Sequence, residues 1–500
     1  RDVLGSRGLG DVYKRQGESL PCAGISSRCG LVDSSGNRTI GNKKRRKNEN
    51  MKKLIISSLA ACLLAGCGIY KPYSRPEVET DGLYREIPTE DTVTIASLSW
   101  RELFTDEHLQ TLIEKGLEQN TDLHIARLRV EEAEAVLKNA RLSYLPSVSL
   151  SPEGGINRYD GVTAKTYNLG ASASWEIDIF GKVTNAKRGA WAALNGSWAY
   201  QQAVQTQLVA TIANSYYMLL MLDRQLAINN STLVTWEKSI KILEALKQSG
   251  KSNDAAVLQA RANRMALESS VLSLRQSIHE TENALSTLLA MPIQAIERGT
   301  LDGQRFPEEL SVGVPLQLLS NRPDVRQAEY NLAQAFYATN AARAAFYPSL
   351  TLSGTLGWTN NGGGAILNPG KWLFGAIGTL TQPLFNKGIN RANLKIAKAQ
   401  QEEAALLFRQ SLLDAGKEVN DALTAWQTAR QQVEIDNNQI ETLQEAVRKT
   451  EILMRHSPTT YLEVLTAQQS LLAAELTEAQ DRFDEIQGAI QLYHALGGGK

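Results

Sequence analysis

The residues that could do chemistry are few and scattered along this chain of 500 residues. The five histidines show no spacing typical of metal ligands: His108, His124, His279, His456 and His494. The glycines at 362–364 lack the Lys and Ser/Thr of a phosphate-binding loop. Because no nucleophile stands in a recognisable arrangement with a base, we predict that the chain is not an enzyme and needs no cofactor or metal.

One cysteine has the context for covalent modification. Residues 51–66 join a basic start, Met51-Lys52-Lys53, to an apolar stretch that is too short to span a bilayer stably, which predicts a signal peptide. The sequence Leu64-Ala65-Gly66-Cys67 resembles the bacterial lipobox, in which the thiol is acylated and the cysteine becomes the new N-terminus. We therefore expect a lipid on Cys67; the alternative is an ordinary signal peptide with an incidental cysteine.

Composition excludes several classes of protein. Residues 1–50 are rich in Gly, Ser, Asn and charge without an apolar period, so we expect a disordered extension foreign to the fold. The formal net charge is zero, which argues against electrostatic capture of nucleic acid. No cysteine follows Cys67, so the body of the protein has no disulfide and no cysteine-based metal site.

The second half of the chain repeats the first at a spacing close to two hundred residues. Three motifs return in the same order: Leu145-Pro146-Ser147 as Tyr347-Pro348-Ser349, Ile179-Phe180-Gly181-Lys182 as Leu384-Phe385-Asn386-Lys387, and Ala256-Val257-Leu258 as Glu463-Val464-Leu465. Each half reads as a helix, two strands, a very long helix and a second helix. A doubled unit of this kind predicts a wall built from equivalent parts.

The predicted strands alternate apolar and polar residues. Residues 167–179 and 350–358 follow this period of two, which is typical of strands that face lipid and lumen, and also of a half-exposed soluble sheet. The polar, glycine-rich stretches 152–160 and 360–364 are predicted to be the turns. One chain supplies four strands, whereas the smallest membrane barrels have about eight, so we expect several chains to close one barrel.

The predicted helices are exceptionally long. The stretches 182–248 and 387–456 contain no proline and repeat apolar residues at helical spacings. At ~1.5 Å per residue each would approach ~100 Å, and such a helix needs a partner along its length. The helical spacing of the apolar residues fits either a solvated coiled-coil stalk or the wall of a tube.

Four motifs carry a resemblance to a known family: Asn321-Arg322-Pro323-Asp324-Val325, Phe346-Tyr347-Pro348-Ser349-Leu350, Lys417-Glu418-Val419-Asn420-Asp421-Ala422-Leu423 and Ala495-Leu496-Gly497-Gly498-Gly499. With the lipobox and the doubled order of elements, they resemble the outer membrane efflux protein family. The likeness is closer to the TolC- and OprM-like lipoprotein channels of resistance-nodulation-division (RND) pumps, which include NodT-like proteins. It covers roughly residues 67–500.

The resemblance implies a mainly α fold with a membrane β-barrel contribution. Duplicated long-helix hairpins would form an α-barrel, and four strands per chain would close as a trimer. Residues 67–105 would be an N-terminal tether and equatorial segment, 106–300 the first repeat and 301–500 the second. Within the repeats, strands are expected near 146–180 and 348–385, and long helices near 182–290 and 387–496.

The resemblance also implies a function. The chain would be a passive exit duct for drugs or other small molecules, lipid-anchored in the bacterial outer membrane and extending into the periplasm. Its partners would be two further copies, a periplasmic adaptor protein and an inner-membrane RND-type pump. The alternatives are the outer-membrane channel of a type I protein secretion system and, in another class, a periplasmic coiled-coil adaptor.

The family resemblance finally places a periplasmic aperture near residues 461–467. Glu463 falls on the first acidic position of the family's pore ring, and Thr466 falls where some relatives carry a second acid. Three copies of Glu463 would bring three carboxylates together and favour cations. The alternative is that Glu463 is a first-turn helix acid stabilised by the dipole.

Overall fold

Helix, two strands and two helices occur twice along the chain, in the predicted order. The computed structural model describes residues 70, 72–77, 82–83, 94–304, 306, 321–360, 371–456 and 461–499, all within the compact unit 68–500. The helices are α1 Trp100–Leu103, α2 Glu107–Gln119, α3 Thr121–Leu142, α4 Lys182–Gln248, α5 Asp254–Leu288, α6 Pro323–Ala344, α7 Ile389–His456 and α8 Tyr461–Ala495. The strands are β1 Ser147–Tyr159, β2 Val162–Ile177, β3 Ser349–Thr359 and β4 Lys371–Thr381.

The four strands form one antiparallel sheet in the order β1-β2-β3-β4. Its register sets Ile177 opposite Leu350 and Leu169 opposite Trp358, so apolar residues share one face, as the alternation predicted. Large side chains on this face are exposed to solvent in the single chain, among them Leu150, Ile156 and Phe374. The exceptions include Leu373 and Ile377 of β4 and Val162 at the start of β2, which lie on the polar face.

The predicted turn at 152–160 is wrong. β1 continues to Tyr159, and only Asp160 and Gly161 make the turn, both with positive φ (48° and 77°). The stretch pairs with β2 residue by residue, with Pro152 opposite Leu169 and Gly155 opposite Thr166. The ladder overrides the local turn preference, and within the single chain β1 is an edge strand, a position that tolerates proline. The second predicted turn, apart from Asn360, lies outside the described residues.

The helices next to the sheet keep the order of the strands. α4 packs against α3 on one side and α6 on the other, and α6 packs against α7. Further from the sheet, α5 returns along α4, α8 returns along α7, and α8 also packs against α4. Both hairpins of the predicted fold class are therefore present.

The main core lies midway along the long helices, where the N-terminal helices cover them. Phe104 is fully buried and its ring contacts those of Tyr217, Phe306 and Tyr493. The core thereby joins the segment before α2, the middle of α4 and the end of α8. None of the helices in the described ranges combines the length and apolarity that a membrane span needs.

Candidate functional site

The tip of the first hairpin is built from a glycine turn and a helix cap. α4 ends at Gln248, and Gly250 reverses the chain with a φ of 71°, a conformation that favours glycine. The side chain of Asn253 then caps α5 by accepting a hydrogen bond from the backbone N–H of Ala256 at 3.0 Å. The tip therefore closes with a glycine turn followed by a capping residue.

The second hairpin carries the two predicted aperture residues at the start of α8. Glu463 lies in the first helical turn, where the dipole stabilises a carboxylate. Thr466 follows three residues later, so the two side chains share one face, and both are exposed. The turn at 457–460 and the side chains of Met454 and His456 lie outside the described residues.

The opposite face of α8 holds the two hairpins together. Val464 and Leu465 are buried there. Leu465 packs, with the partly buried Tyr461, into an apolar cluster from the first hairpin: Ile240, Leu243, Ala256, Val257 and Ala260. This contact fixes which face of α8 turns away from the first hairpin, and that is the face of Glu463 and Thr466.

A buried polar contact, which no pattern in the sequence predicts, lies next to this cluster. The Gln468 side chain is 4% exposed and donates to Ser239 Oγ at 3.3 Å and to Glu451 Oε1 at 3.2 Å. It thereby connects α8 to α4 and to α7. In the sequence, Gln468 reads as an ordinary polar helix residue, because its two partners become neighbours only when the hairpins pack.

Further along α8, acidic residues lie three apart on one face. Burial raises the pKa of Glu475 and of Glu478, although the positive charge of Arg224 opposes the shift in both. Burial and a hydrogen bond with the Asp436 carboxyl raise the pKa of Asp481 to about 6. Asp436 is 7% exposed, and its Oδ2 has no hydrogen-bond partner. Among the described residues, no three or more His, Cys, Asp or Glu side chains form a metal-binding group.

Three of the four motifs behind the family resemblance meet around Arg322, which is 4% exposed. Its Nη1 donates to Glu418 Oε2 at 2.6 Å and to the Ala495 carbonyl at 3.0 Å, and its Nε donates to Asp324 Oδ1 at 3.0 Å. The guanidinium joins the start of α6 to α7 and to the end of α8. These motif residues therefore hold helices together, and none of them faces the aperture residues.

At the sheet end, the N-terminal segment lies along α6. The Tyr70 ring lies beside Gly181, just before α4. The Tyr73 ring meets those of Phe336 and Tyr337, and Arg75 Nε donates to Glu329 Oε1 at 2.8 Å. Cys67 itself lies outside the described residues.

The sequence pattern of one family matches both halves of the chain. It is described as the outer membrane efflux protein family, and it covers residues 112–291 and 314–498. The chain belongs to this family. The resemblance that the motifs carried is thereby confirmed, and the family pattern matches once in each half of the chain.

Relatives and solved structures of the outer membrane efflux family agree. The cation efflux system protein CusC of Escherichia coli O157:H7 is 30% identical over 88% of this chain and 97% of its own length. The probable outer membrane lipoprotein SilC of Salmonella typhimurium is 30% identical over 90% and 99%. The open state of the MtrE outer membrane channel of Neisseria gonorrhoeae superposes with a TM-score of 0.79 at 28% identity, covering 87% of this chain and 98% of that one.

Proposed function

We propose that this chain is the outer-membrane exit duct of a tripartite efflux system. It is a passive channel for drugs or other small molecules, which an inner-membrane RND-type pump delivers through a periplasmic adaptor. The membership of the chain in the family supports the proposal. The similarity of the chain to a cation efflux protein and to a probable outer membrane lipoprotein supports it as well. The adaptor and the pump are inferred from this kinship.

The four-stranded sheet is the main structural observation in support of the proposal. It exposes an apolar face across all four strands and leaves the outer edges of β1 and β4 without a partner in the described chain. Unpaired strand edges and a polar backbone are not tolerated in hydrocarbon, so the sheet must close before it can cross a membrane. Three copies, the number that the resemblance implies, close it around a central lumen, with the long helices continuing the wall into the periplasm.

A lipid on Cys67 anchors each copy in the outer membrane, and the described chain that follows begins at Tyr70. Tyr70 lies next to Gly181, at the junction of β2 and α4, and the contacts of Tyr73 and Arg75 fix the segment along α6. Acylation of Cys67 would hold the N-terminus of the mature chain in the outer membrane.

Glu463 and Thr466 line the periplasmic aperture. Both side chains are exposed on the face of α8 that turns away from the first hairpin. Threefold repetition of Glu463 forms one carboxylate ring that attracts cations, and Thr466 adds a neutral polar ring beside it.

Single-channel conductance of the purified protein in planar bilayers tests the proposal. Discrete conductance steps with cation preference are expected for the unaltered chain. Glu463→Gln should reduce both the cation preference and the block by multivalent cations, while Glu441→Gln, an exposed carboxylate on α7, should change neither. A protein that inserts without conducting would contradict the duct, and unchanged selectivity in Glu463→Gln would remove Glu463 from the aperture.

A further inference from the structure

The β1–β2 hairpin extends past the rest of the described sheet. β2 pairs with β3 only as far as Asn168 opposite Thr359, whereas β1 and β2 remain paired up to Tyr159 opposite Val162. Residues 162–167 of β2 therefore lie beyond its last pair with β3. At ~3.3 Å per residue, they extend a two-stranded ribbon about 20 Å further from the helices.

Aromatic residues mark both ends of the apolar face of the sheet. Trp175 lies opposite Leu352 at the end near the helices, and Trp358 lies opposite Trp372 at the other end, with the two ring centroids 4.4 Å apart. Tyr167 follows on the same face of β2. The distance from Trp175 to Tyr167 is about 27 Å along the strand, or about 20 Å of height at a strand tilt of about 40°. Aromatic girdles flank the lipid-facing band of membrane barrels in this way, so the ribbon begins where the band ends.

Beyond the second girdle, the same face of the ribbon becomes basic. Lys165 lies opposite Ile156, and Arg158 lies opposite Thr163. Both basic side chains are exposed, and neither forms an ion pair within the part of the chain that the structure describes. The two positions are diagonal neighbours on one face, about 7–8 Å apart. Two long cationic side chains at that separation can converge on one anion.

The two carboxylates of the ribbon do not neutralise this basic pair. Glu153 lies on the polar face, opposite Asn168, and Asp160 lies in the turn itself. The outward face therefore carries two positive charges in each copy, just beyond the apolar band. The anionic headgroups of a membrane lie at that level and attract basic side chains.

We propose that Arg158 and Lys165 bind the phosphate groups of lipopolysaccharide in the outer leaflet of the outer membrane. The hairpin points away from the helices, so in a duct whose helices enter the periplasm it faces the exterior of the cell. Arg158 can donate two parallel hydrogen bonds to one phosphate, and Lys165 adds a compact positive charge. This inference rests on the proposed function, because only a sheet that crosses the outer membrane brings these residues to its outer surface.

The apolar surface below the basic pair favours a lipid anion over a soluble one. Free phosphate would contact only the two cations. A lipid also contacts the apolar face directly beneath them, where Leu150, Trp372 and Phe374 are exposed. The order of apolar, aromatic and basic residues along the strands matches the order of acyl chain, interface and phosphate in one leaflet.

Native mass spectrometry of the purified protein in detergent, titrated with lipid A, tests the proposal. Lipid A is the membrane anchor of lipopolysaccharide and carries two phosphates; monophosphoryl lipid A, phosphatidylglycerol and inorganic phosphate are the comparison probes. Arg158→Gln with Lys165→Gln should raise the Kd for lipid A by about 25-fold at low salt, or about fivefold for each charge. Arg158→Lys with Lys165→Arg keeps both charges and should retain most of the affinity. Lys251→Gln, which removes an exposed cation at the tip of the first hairpin, is the matched control and should leave the Kd unchanged.

The unaltered protein should bind lipid A more tightly than any of the comparison probes. An unchanged Kd for lipid A after both substitutions to Gln would overturn the proposal. Equal affinities for phosphatidylglycerol and lipid A would show a general site for lipid phosphates and would overturn lipopolysaccharide as the ligand. Binding of inorganic phosphate as tight as that of lipid A would overturn it in favour of a soluble anion.

Single-channel conductance in bilayers without lipopolysaccharide separates this site from the duct. The variant with both substitutions to Gln should conduct like the unaltered chain. A chain that conducts normally, but whose binding of lipid A does not depend on Arg158 and Lys165, would overturn only this site. A chain that binds lipid A through these two residues and does not conduct would overturn only the duct.

Discussion

α4 and α7 are equivalent helices of 67 and 68 residues, yet they differ in how their apolar residues are used. α4 packs against α3, α6, α5 and α8, and it buries Tyr216, Tyr217, Leu219 and Leu220 almost completely. α7 packs against α6 and α8 and leaves Ile396, Leu406, Leu407 and Leu413 at least half exposed.

The difference comes from position along the chain. In the layer of helices next to the sheet, α4 has a neighbour on each side, α3 and α6, whereas α7 has α6 on one side and no described helix of this chain on the other. An apolar surface of this extent on a folded chain marks an interaction site. Duplication thus leaves this helix surface covered in the middle of the chain and uncovered at its end.

The largest effect is expected on the apolar face of the four-stranded sheet. Leu352→Arg places a charge on this face and should destabilise the assembled protein by about 2–4 kcal/mol if the position lies near the bilayer midplane. Heat resistance of the trimer on gels, together with urea unfolding in vesicles, measures the loss. Ser353→Arg, one residue further on the polar face, is the matched control and should lose far less; equal losses would mean that the faces are not divided between lipid and lumen.

Phe180, which follows β2 and precedes α4, and Phe385, which follows β4 and precedes α7, test the comparison of α4 with α7 directly. Phe180→Ala removes the stack on Tyr347 inside the chain and should cost the unassembled chain in micelles about 1–3 kcal/mol. Phe385→Ala should leave the unassembled chain nearly unchanged, because that ring is exposed, and should lower the dissociation temperature of the trimer. Urea unfolding of the dispersed chain and native mass spectrometry separate the effects. Equal losses in the dispersed chain would remove the distinction between centre and edge.

A smaller effect is expected where the two hairpins meet. Gln468→Leu keeps the volume but leaves Ser239 and Glu451 without this partner, at a cost of about 1 kcal/mol. Gln469→Leu, on the exposed neighbour, serves as the control. A double-mutant cycle with Ser239→Ala should show a coupling of up to about 1 kcal/mol. Additive single effects would show that the contact contributes no coupling energy.

The sequence predicts those features of the fold that depend on periodicity and repetition. The proline-free apolar stripes are long enough to dictate helices, and alternation in β2 and β3 dictates the shared apolar face. The predicted turn at 152–160 was wrong because two preferences compete there. Glu153, Gly154 and Gly155 favour a turn locally, but the pairing of all thirteen residues of β1 outweighs that preference.

The site was predicted less completely than the fold. Glu463 and Thr466 could be named from the family pattern, and they do share an exposed face. The contact of Gln468 with Ser239 joins residues 229 apart, and that of Asp481 with Asp436 joins two helices of one hairpin. Such contacts depend on which faces of the helices meet, and neither residue differs in type from its solvated neighbours.

The smallest expected effect is a pH dependence confined to the second hairpin. The pKa of Asp481 is raised to about 6 from an ordinary value of 3.8, by burial and by the Asp436 carboxyl, with Asp484 and Glu478 adding negative charge. Between those pH values the folded chain holds a proton that the unfolded chain releases. The free energy of unfolding therefore falls as pH rises from about 4 to 6, and the loss is complete above pH 6.

Asp481→Asn removes this titration. An amide can still donate a hydrogen bond to Asp436 at every pH, so the variant should match the unaltered protein at pH 4 and exceed it at pH 7.5. The gain should stay below about 1 kcal/mol, because Asp481 is only partly buried and solvent screens its neighbours. Thermal unfolding at several pH values measures it, with Glu441→Gln as a control for the loss of one carboxylate. In the first hairpin, Arg298 bridges Asp223 of α4 and Glu282 of α5, so the carboxylates that meet there have a cationic partner. A gain that Glu441→Gln reproduces would assign the pH dependence to net charge rather than to the contact of α7 with α8.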